Sequence, residues 1–389
     1  MPYPAIGGDR SRVFHFIRAL AQAGHEVHLL TFDARARSAA MPEPLAALLA
    51  SHRTIFLPAA FSALQAFGAL AGKRPLQLAY YDSRPMDEAV REALVRIKPD
   101  VVYTHLFRMA PYSLRSMAEH PASWVLDLTD VISSEIRRSL PFRTGADRWL
   151  YQVEGKRIAS YEEEVAPRFD RCWVISDAES RTLASMAPGA RIQVVPIGID
   201  RNGGGAAEAP KREPATILFF GYQKIAHNRD AARFLCQEIF PIVRRAAPEA
   251  VLEIAGQGSK SLGAWSRGPG IRNLGYVARP QEAFARASVF VAPLRFAAGV
   301  QTKVLQALDQ GLPVVTTPLV REGLEPVPSD LLCVGRTAEE IATHIVALIR
   351  DPAAAAARGR RGRDWARERF QWSHAVRAFE EAGNARLPV

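Results

Sequence analysis

A chain of 389 residues is long enough for two hydrophobic cores, and an apolar content of 48% can fill both. Its formal charge of +10 comes without a basic run interleaved with aromatics, which argues against nucleic acid as a partner. That charge fits an arginine-rich composition, or attraction to an anionic substrate or to an anionic membrane surface approached peripherally.

No apolar run reaches the length of a membrane span, and no signal-peptide pattern opens the sequence. Cys172, Cys236 and Cys333 lie far apart in apolar surroundings, without metal-ligand spacing. They read as reduced core residues of a cytoplasmic protein, with no bound metal expected.

In chain order, a Gly7-Gly8 loop leads into a helix over 11–23, with Val13, Phe14, Ile17 and Leu20 on one face and Gly24 at its end. His25 to Phe32 is a strand. The order loop, helix, strand is that of a doubly wound domain whose first strand is missing. Two prolines within Met1–Ile6 are unsuited to a central strand, so the expectation is an apolar strand of about 5–8 residues encoded upstream of Met1.

Further strands are expected at Arg53–Leu57, Asp100–His105, Ser123–Leu128, Cys172–Ser176 and Ile192–Pro196. His105, Asp127 and Asp130 fall at strand C-termini, the edge where such sheets bind ligands. The Gly- and Pro-dense stretch 201–214 reads as a linker between a first domain, 1–200, and a second, 215–370. After it the alternation restarts, with strands at Thr216–Gly221, Ala250–Ala255 and Ile271–Val277 and one helix over Asn228–Ala247.

The most informative stretch is 289–318. An apolar strand ends at Pro293, and a loop runs to Gly299. A helix then spans Val300–Leu308 and stops at Gly311, and a second strand covers Leu312–Thr317. A Gly-ended loop feeding a helix start that carries Gln301, Thr302 and Lys303 is a ready anion site. Only seven of the 50 basic residues are Lys, so a Lys at this place stands out.

These elements, in this order, resemble the GT-B glycosyltransferases: α/β proteins of two Rossmann-like doubly wound domains. The similarity is nearest to glycosyltransferase family 4 and its exosortase-associated sugar transferases. It is carried by PAIGGDRSR (4–12), residues 25–32, WVLDLTDVISS (124–134), ILFFGYQKIAHNRD (217–230), LEIAGQG (252–258), LGYV (274–277) and 292–323. The resemblance implies a retaining, metal-independent hexosyltransferase that needs no cofactor beyond its substrate. The partners it implies are a nucleoside diphosphate sugar as donor and a glycan or lipid-linked acceptor. The work would be surface or extracellular polysaccharide synthesis at the inner face of the membrane.

On this reading Gly7, Gly8, Gly221 and Gly299 lie against the donor, and Tyr276 and Val277 hold its base. Lys224, Lys303, Gln301 and Thr302 meet the diphosphate. Asp127, Asp130 and His105 face the acceptor, the two Asp residues in positioning or proton handling. The segment 371–389 is expected to return as a helix to the first domain. The family's usual Glu pair is replaced by Ala298 and Gln306, although the exosortase-linked branch also tends to lack the first Glu. Gln306 keeps hydrogen-bonding capacity for a ribose without the charge. That replacement motivates a non-catalytic nucleotide-sugar binder as an alternative; a sugar-nucleotide 2-epimerase on the same fold is another.

Overall fold

The computed structural model describes residues 1–5, 8–34, 41–199, 212–297 and 299–384. Most of the linker stretch and Gly7 therefore lie outside the described residues. The chain divides into two units, one of Met1–Gly198 with the stretch from Trp372, the other Ile199–Gln371.

The first unit begins with the helix Gly8–Gln22, three residues earlier than its apolar periodicity suggests. Two parallel strands follow, β1 (His28–Asp33) and β2 (Ser51–Phe56), in register His28 to Ser51. A separate parallel sheet holds β3 (Val101–His105), β4 (Ser123–Thr129), β5 (Arg171–Val174) and β6 (Ile192–Val194), in that spatial order. Every residue of β4 is buried, as a strand covered on both faces requires. Trp124, Leu126, Phe107 and Ile158 fill one face. Phe16 and Leu20 of the first helix fill the other, with Trp173 and with Ala375 and Ala378 of the helix Trp372–Asn384.

The first helix is also tied to the sheet by charge. Arg12 sends its Nε to Asp127 Oδ2 at 2.7 Å and a second nitrogen to the Val195 carbonyl at 3.0 Å. Asp127 further accepts from the Tyr103 hydroxyl, the Thr129 amide at 2.8 Å and the Thr129 hydroxyl at 3.2 Å. Burial works against its charged form, but the Arg12 guanidinium prevails and holds the carboxyl below its usual range. Both oxygens are occupied, so this Asp has a structural role and no free lone pair for proton handling.

The second unit is a six-stranded parallel sheet of β7 (Thr216–Phe220), β8 (Val251–Ala255), β9 (Ile271–Gly275), β10 (Val289–Ala292), β11 (Val314–Thr316) and β12 (Leu332–Val334). The order is β12-β11-β10-β7-β8-β9, so the chain winds outward in both directions from β7. The expected helix over 228–247 is instead two helices, Ala226–Phe234 and Phe240–Ala246, joined by a π-helical turn at Leu235–Ile239. Pro241 lacks the amide that a continuous α-helical ladder needs, and it falls in the first turn of the second helix, where that amide has no ladder partner.

Two stability effects follow. Arg12→Leu leaves Asp127 charged and buried, and a loss of about 3–5 kcal/mol in urea unfolding is expected, with a smaller loss when Asp127→Leu accompanies it. Glu162, buried under the amides of Ile132 (2.8 Å) and Ser133 (3.4 Å), is raised by burial to about 7. The folded state therefore binds more protons than the unfolded chain between the ordinary 4.5 and about 7, so this group's contribution is lost as pH rises through that window. Comparing Glu162→Gln with the natural chain at pH 5 and pH 8 should show a difference on the order of a few kcal/mol.

Candidate functional site

In the second unit the chemistry gathers at the C-terminal edge of the sheet, where β7 and β10 diverge. Glycines end β7, β8 and β9. The Gly221 amide bonds the Ala255 carbonyl (3.0 Å), and the Gly256 amide bonds that of Gly275 (2.8 Å). Gly256 has φ +118°, and a side chain there would collide with the Gly221 carbonyl oxygen. All three glycines are buried, and their missing side chains let these strand ends pack closely on one another and on Asn228 and Lys260.

On the β10 side, Gly299 takes φ +53° and brings the chain to Gln301, which flanks the helix Thr302–Asp309. No side chain caps that helix, so its first amides keep their donors for something else. Ala298 lies outside the described residues.

Lys303 spans the divergence. Its side chain is buried, and its Nζ donates to Asn228 Oδ1, while Asn228 Nδ2 donates to the Tyr222 carbonyl at 3.0 Å. Nζ also lies 5.9 Å from the centre of the Phe219 ring. No ion pair to Lys303 occurs among the described residues, and burial lowers its pKa from 10.5 to about 7. A buried cation whose polar partner is a neutral amide is suited to an anion arriving from outside.

The other expected residues are placed less uniformly. Lys224 is exposed, within side-chain reach of Gly258. Tyr276 is exposed and Val277 half-buried just past β9, and Gln306 is exposed on the outer face of its helix. Two residues escaped the sequence reading. Asn228 is one. Arg295 is the other, which grips Asp230 with Nε and a terminal nitrogen (2.9 and 2.5 Å) and lies over Phe234. Only their partners, 75 and 65 residues away, reveal them.

In the first unit, the C-terminal ends of β3 and β4 carry two non-glycine residues with left-handed backbone, Leu106 at φ +69° and Thr129 at φ +64°. His105 stacks on Tyr103, and both its ring nitrogens are sealed from solvent without a partner. Burial lowers its pKa from 6.5 to about 4, so the ring is neutral near pH 7. Asp130 also has a buried oxygen without a partner. Burial first, then the charges of Glu179, Glu135 and Asp9, raise its pKa well above the usual value. The His105 ring is thus an uncharged group able to donate and accept hydrogen bonds, and the Asp130 carboxyl is biased toward its protonated form. Gly8 opens the first helix, and nothing would crowd a side chain there.

Known proteins share this arrangement. The family model for the glycosyl transferase 4-like domain matches residues 7–198, and that for glycosyl transferases group 1 matches 214–351. Glycogen synthase of Mycobacterium tuberculosis is 24% identical over 97% of this chain and 91% of that protein. Among solved structures, sucrose-phosphate synthase from Thermosynechococcus elongatus superposes with a TM-score of 0.69 at 18% identity, over 96% of this chain and 92% of that one. WaaG, a glycosyltransferase involved in lipopolysaccharide biosynthesis, reaches 0.62 at 15% identity, over 96% and 95%. Anabaena HepE in complex with UDP reaches 0.60 at 13% identity, over 93% and 100%. With one family model on each unit and the parallel sheets these structures share, the chain is a glycosyltransferase of the GT-B fold.

Proposed function

We propose that the protein is a retaining, metal-independent hexosyltransferase. It takes a nucleoside diphosphate sugar at the C-terminal edge of the second unit and passes the hexose to a hydroxyl of a glycan or lipid-linked acceptor. Surface or extracellular polysaccharide synthesis is the process this serves. The observation that carries the reading is Lys303, a buried cation with only an amide for company at the point where β7 and β10 part. A diphosphate laid on the glycine edge would meet its ammonium and the uncapped amides of the helix Thr302–Asp309. Binding of UDP by the fold relative HepE supports a nucleotide of this kind.

Charge develops on the leaving diphosphate as the C1–O bond breaks, and preorganised donors there lower the barrier. The acceptor hydroxyl forms the new glycosidic bond on the face the phosphate leaves, and its proton passes to a departing phosphate oxygen. Lys224 adds a second cation, Tyr276 and Val277 take the base, and Gln306 reaches the ribose. His105, neutral and unpartnered, and Asp130, with a raised pKa and one unpartnered oxygen, suit a sugar hydroxyl better than an ion. Asp127 supports them through the Arg12 pair and takes no direct part.

Lys303→Ala is expected to cut turnover about a hundredfold, with partial recovery in Lys303→Arg, whose planar fork fits an ammonium's place poorly. Unchanged kinetics in Lys303→Ala would remove the diphosphate from this site. Because Lys303 titrates near 7 without ligand, donor affinity should be full below pH 7 and fall up to about tenfold per pH unit above it. Lys303→Met should abolish both the donor-induced rise in melting temperature and its pH dependence, without lowering the melting temperature of the unliganded protein. A thermal-shift panel of nucleoside diphosphate sugars names the donor. Conversion of that donor to an isomer without any acceptor would point to epimerase chemistry instead.

A further inference from the structure

The helix Ala59–Gly68 in the first unit is inside out. Its two polar side chains face the protein: Ser62 is fully buried, Gln65 is half-buried, and the Ser62 hydroxyl and the Gln65 Oε1 are sealed without partners. Its large apolar side chains face away. Phe61 is 58% exposed, Leu64 66% and Phe67 70%, and Leu70 in the 3-10 turn that follows is 37% exposed. A helix facing water carries the opposite arrangement. An exposed apolar face of this size marks a surface that something else covers.

The sequence around it narrows what that is. No charged residue occurs from Thr54 to Gly72, and the first beyond is Lys73, exposed and without an ion pair among the described residues. Arg157 at the same end is mostly buried and already engaged, its guanidinium 2.6 Å from the Leu70 carbonyl oxygen and 3.8 Å from Glu154. A short helix with Phe and Leu outward and an unpaired Lys at its margin is suited to lie in the plane of a lipid surface. No helix among the described residues is long and apolar enough to cross a membrane. A second copy of the chain would bring another net charge of +10 against the first, whereas an anionic bilayer is complementary to it.

We propose that Phe61, Leu64, Phe67 and Leu70 insert into the headgroup region of an anionic bilayer, with Lys73 at the phosphates. The surface stands on the exposed helix alone, independently of the transferase reading. Within that reading it selects the lipid-linked class of acceptor.

The test is flotation of the full chain with vesicles of phosphatidylcholine, with and without phosphatidylglycerol. The natural chain should float with the anionic vesicles, and Phe61→Ser/Leu64→Ser/Phe67→Ser should lose at least tenfold in binding. Lys73→Gln should lose roughly fivefold on anionic vesicles and nothing on neutral ones. The three serines replace exposed side chains, so circular dichroism and the donor-induced thermal shift should be unchanged. The proposal is overturned if the natural chain stays below the vesicles, or if the triple variant floats equally well. It is also overturned if vesicle-free light scattering shows a dimer that the triple variant dissociates, which would give the face to a second copy. Vesicle binding without any donor shift would retire the transferase reading alone; a donor shift without vesicle binding would retire this surface alone.

Discussion

A parallel sheet points all its strands the same way, so every βα loop emerges at one edge, and helix N-termini open there. Where the winding reverses, adjacent loops part and leave a gap that no backbone ladder fills. In the second unit that place is between β7 and β10, and Lys303 reaches across it to Asn228. Keeping an ammonium there without a carboxylate is costly, as its lowered pKa records. The cost is sustained by a firmly packed frame: closely packed glycine strand ends on one side, and on the other Gly299 against Gly323, where a side chain would press on the Gly299 carbonyl oxygen.

Two buried charges near the sheet edges, Asp127 and Lys303, are treated in opposite ways. The first is neutralised internally: Arg12 and Asp127 close a pair that joins the opening helix to β4 and β6, with Tyr103 and Thr129 completing the carboxylate's shell. Of what remains unpartnered at its sheet edge, His105 is neutral near pH 7, and burial shifts Asp130 toward its protonated form. In the second unit Glu253 and Asp309 are likewise paired with arginines, but Lys303 has no ion pair among the described residues. On the proposed function the Lys303 edge would meet the anion and the His105 edge the hydroxyls, the pair of needs that glycosyl transfer from a diphosphate donor combines.

Burial is expensive for polar groups and exposure is expensive for apolar ones, yet the helix Ala59–Gly68 accepts both costs. That combination is compatible with a surface that is not aqueous. It also gives the protein's positive charge, diffuse when read as composition, a local use beside Lys73.

Local sequence by itself determined the alternation of strands and helices, because apolar runs bounded by Gly and Pro leave few other choices. It also determined that Gln301, Thr302 and Lys303 stand at a helix start, since periodicity and the stop at Gly311 locate that helix. Only tertiary structure decided how side chains pair. Asp127 looked available at a strand end until Arg12, 115 residues away, was seen to occupy it, and Asn228 was silent until Lys303 arrived from 75 residues away. The stretch 228–247 read as one helix, and the π-helical turn ahead of Pro241 was visible only in the fold. The direction in which Phe61, Leu64 and Phe67 point was likewise undetermined, because an apolar helix stripe reads the same whether it faces a core or a membrane. Periodicity records what neighbours along the chain share; partners and solvent are set by segments that meet only once the chain has folded.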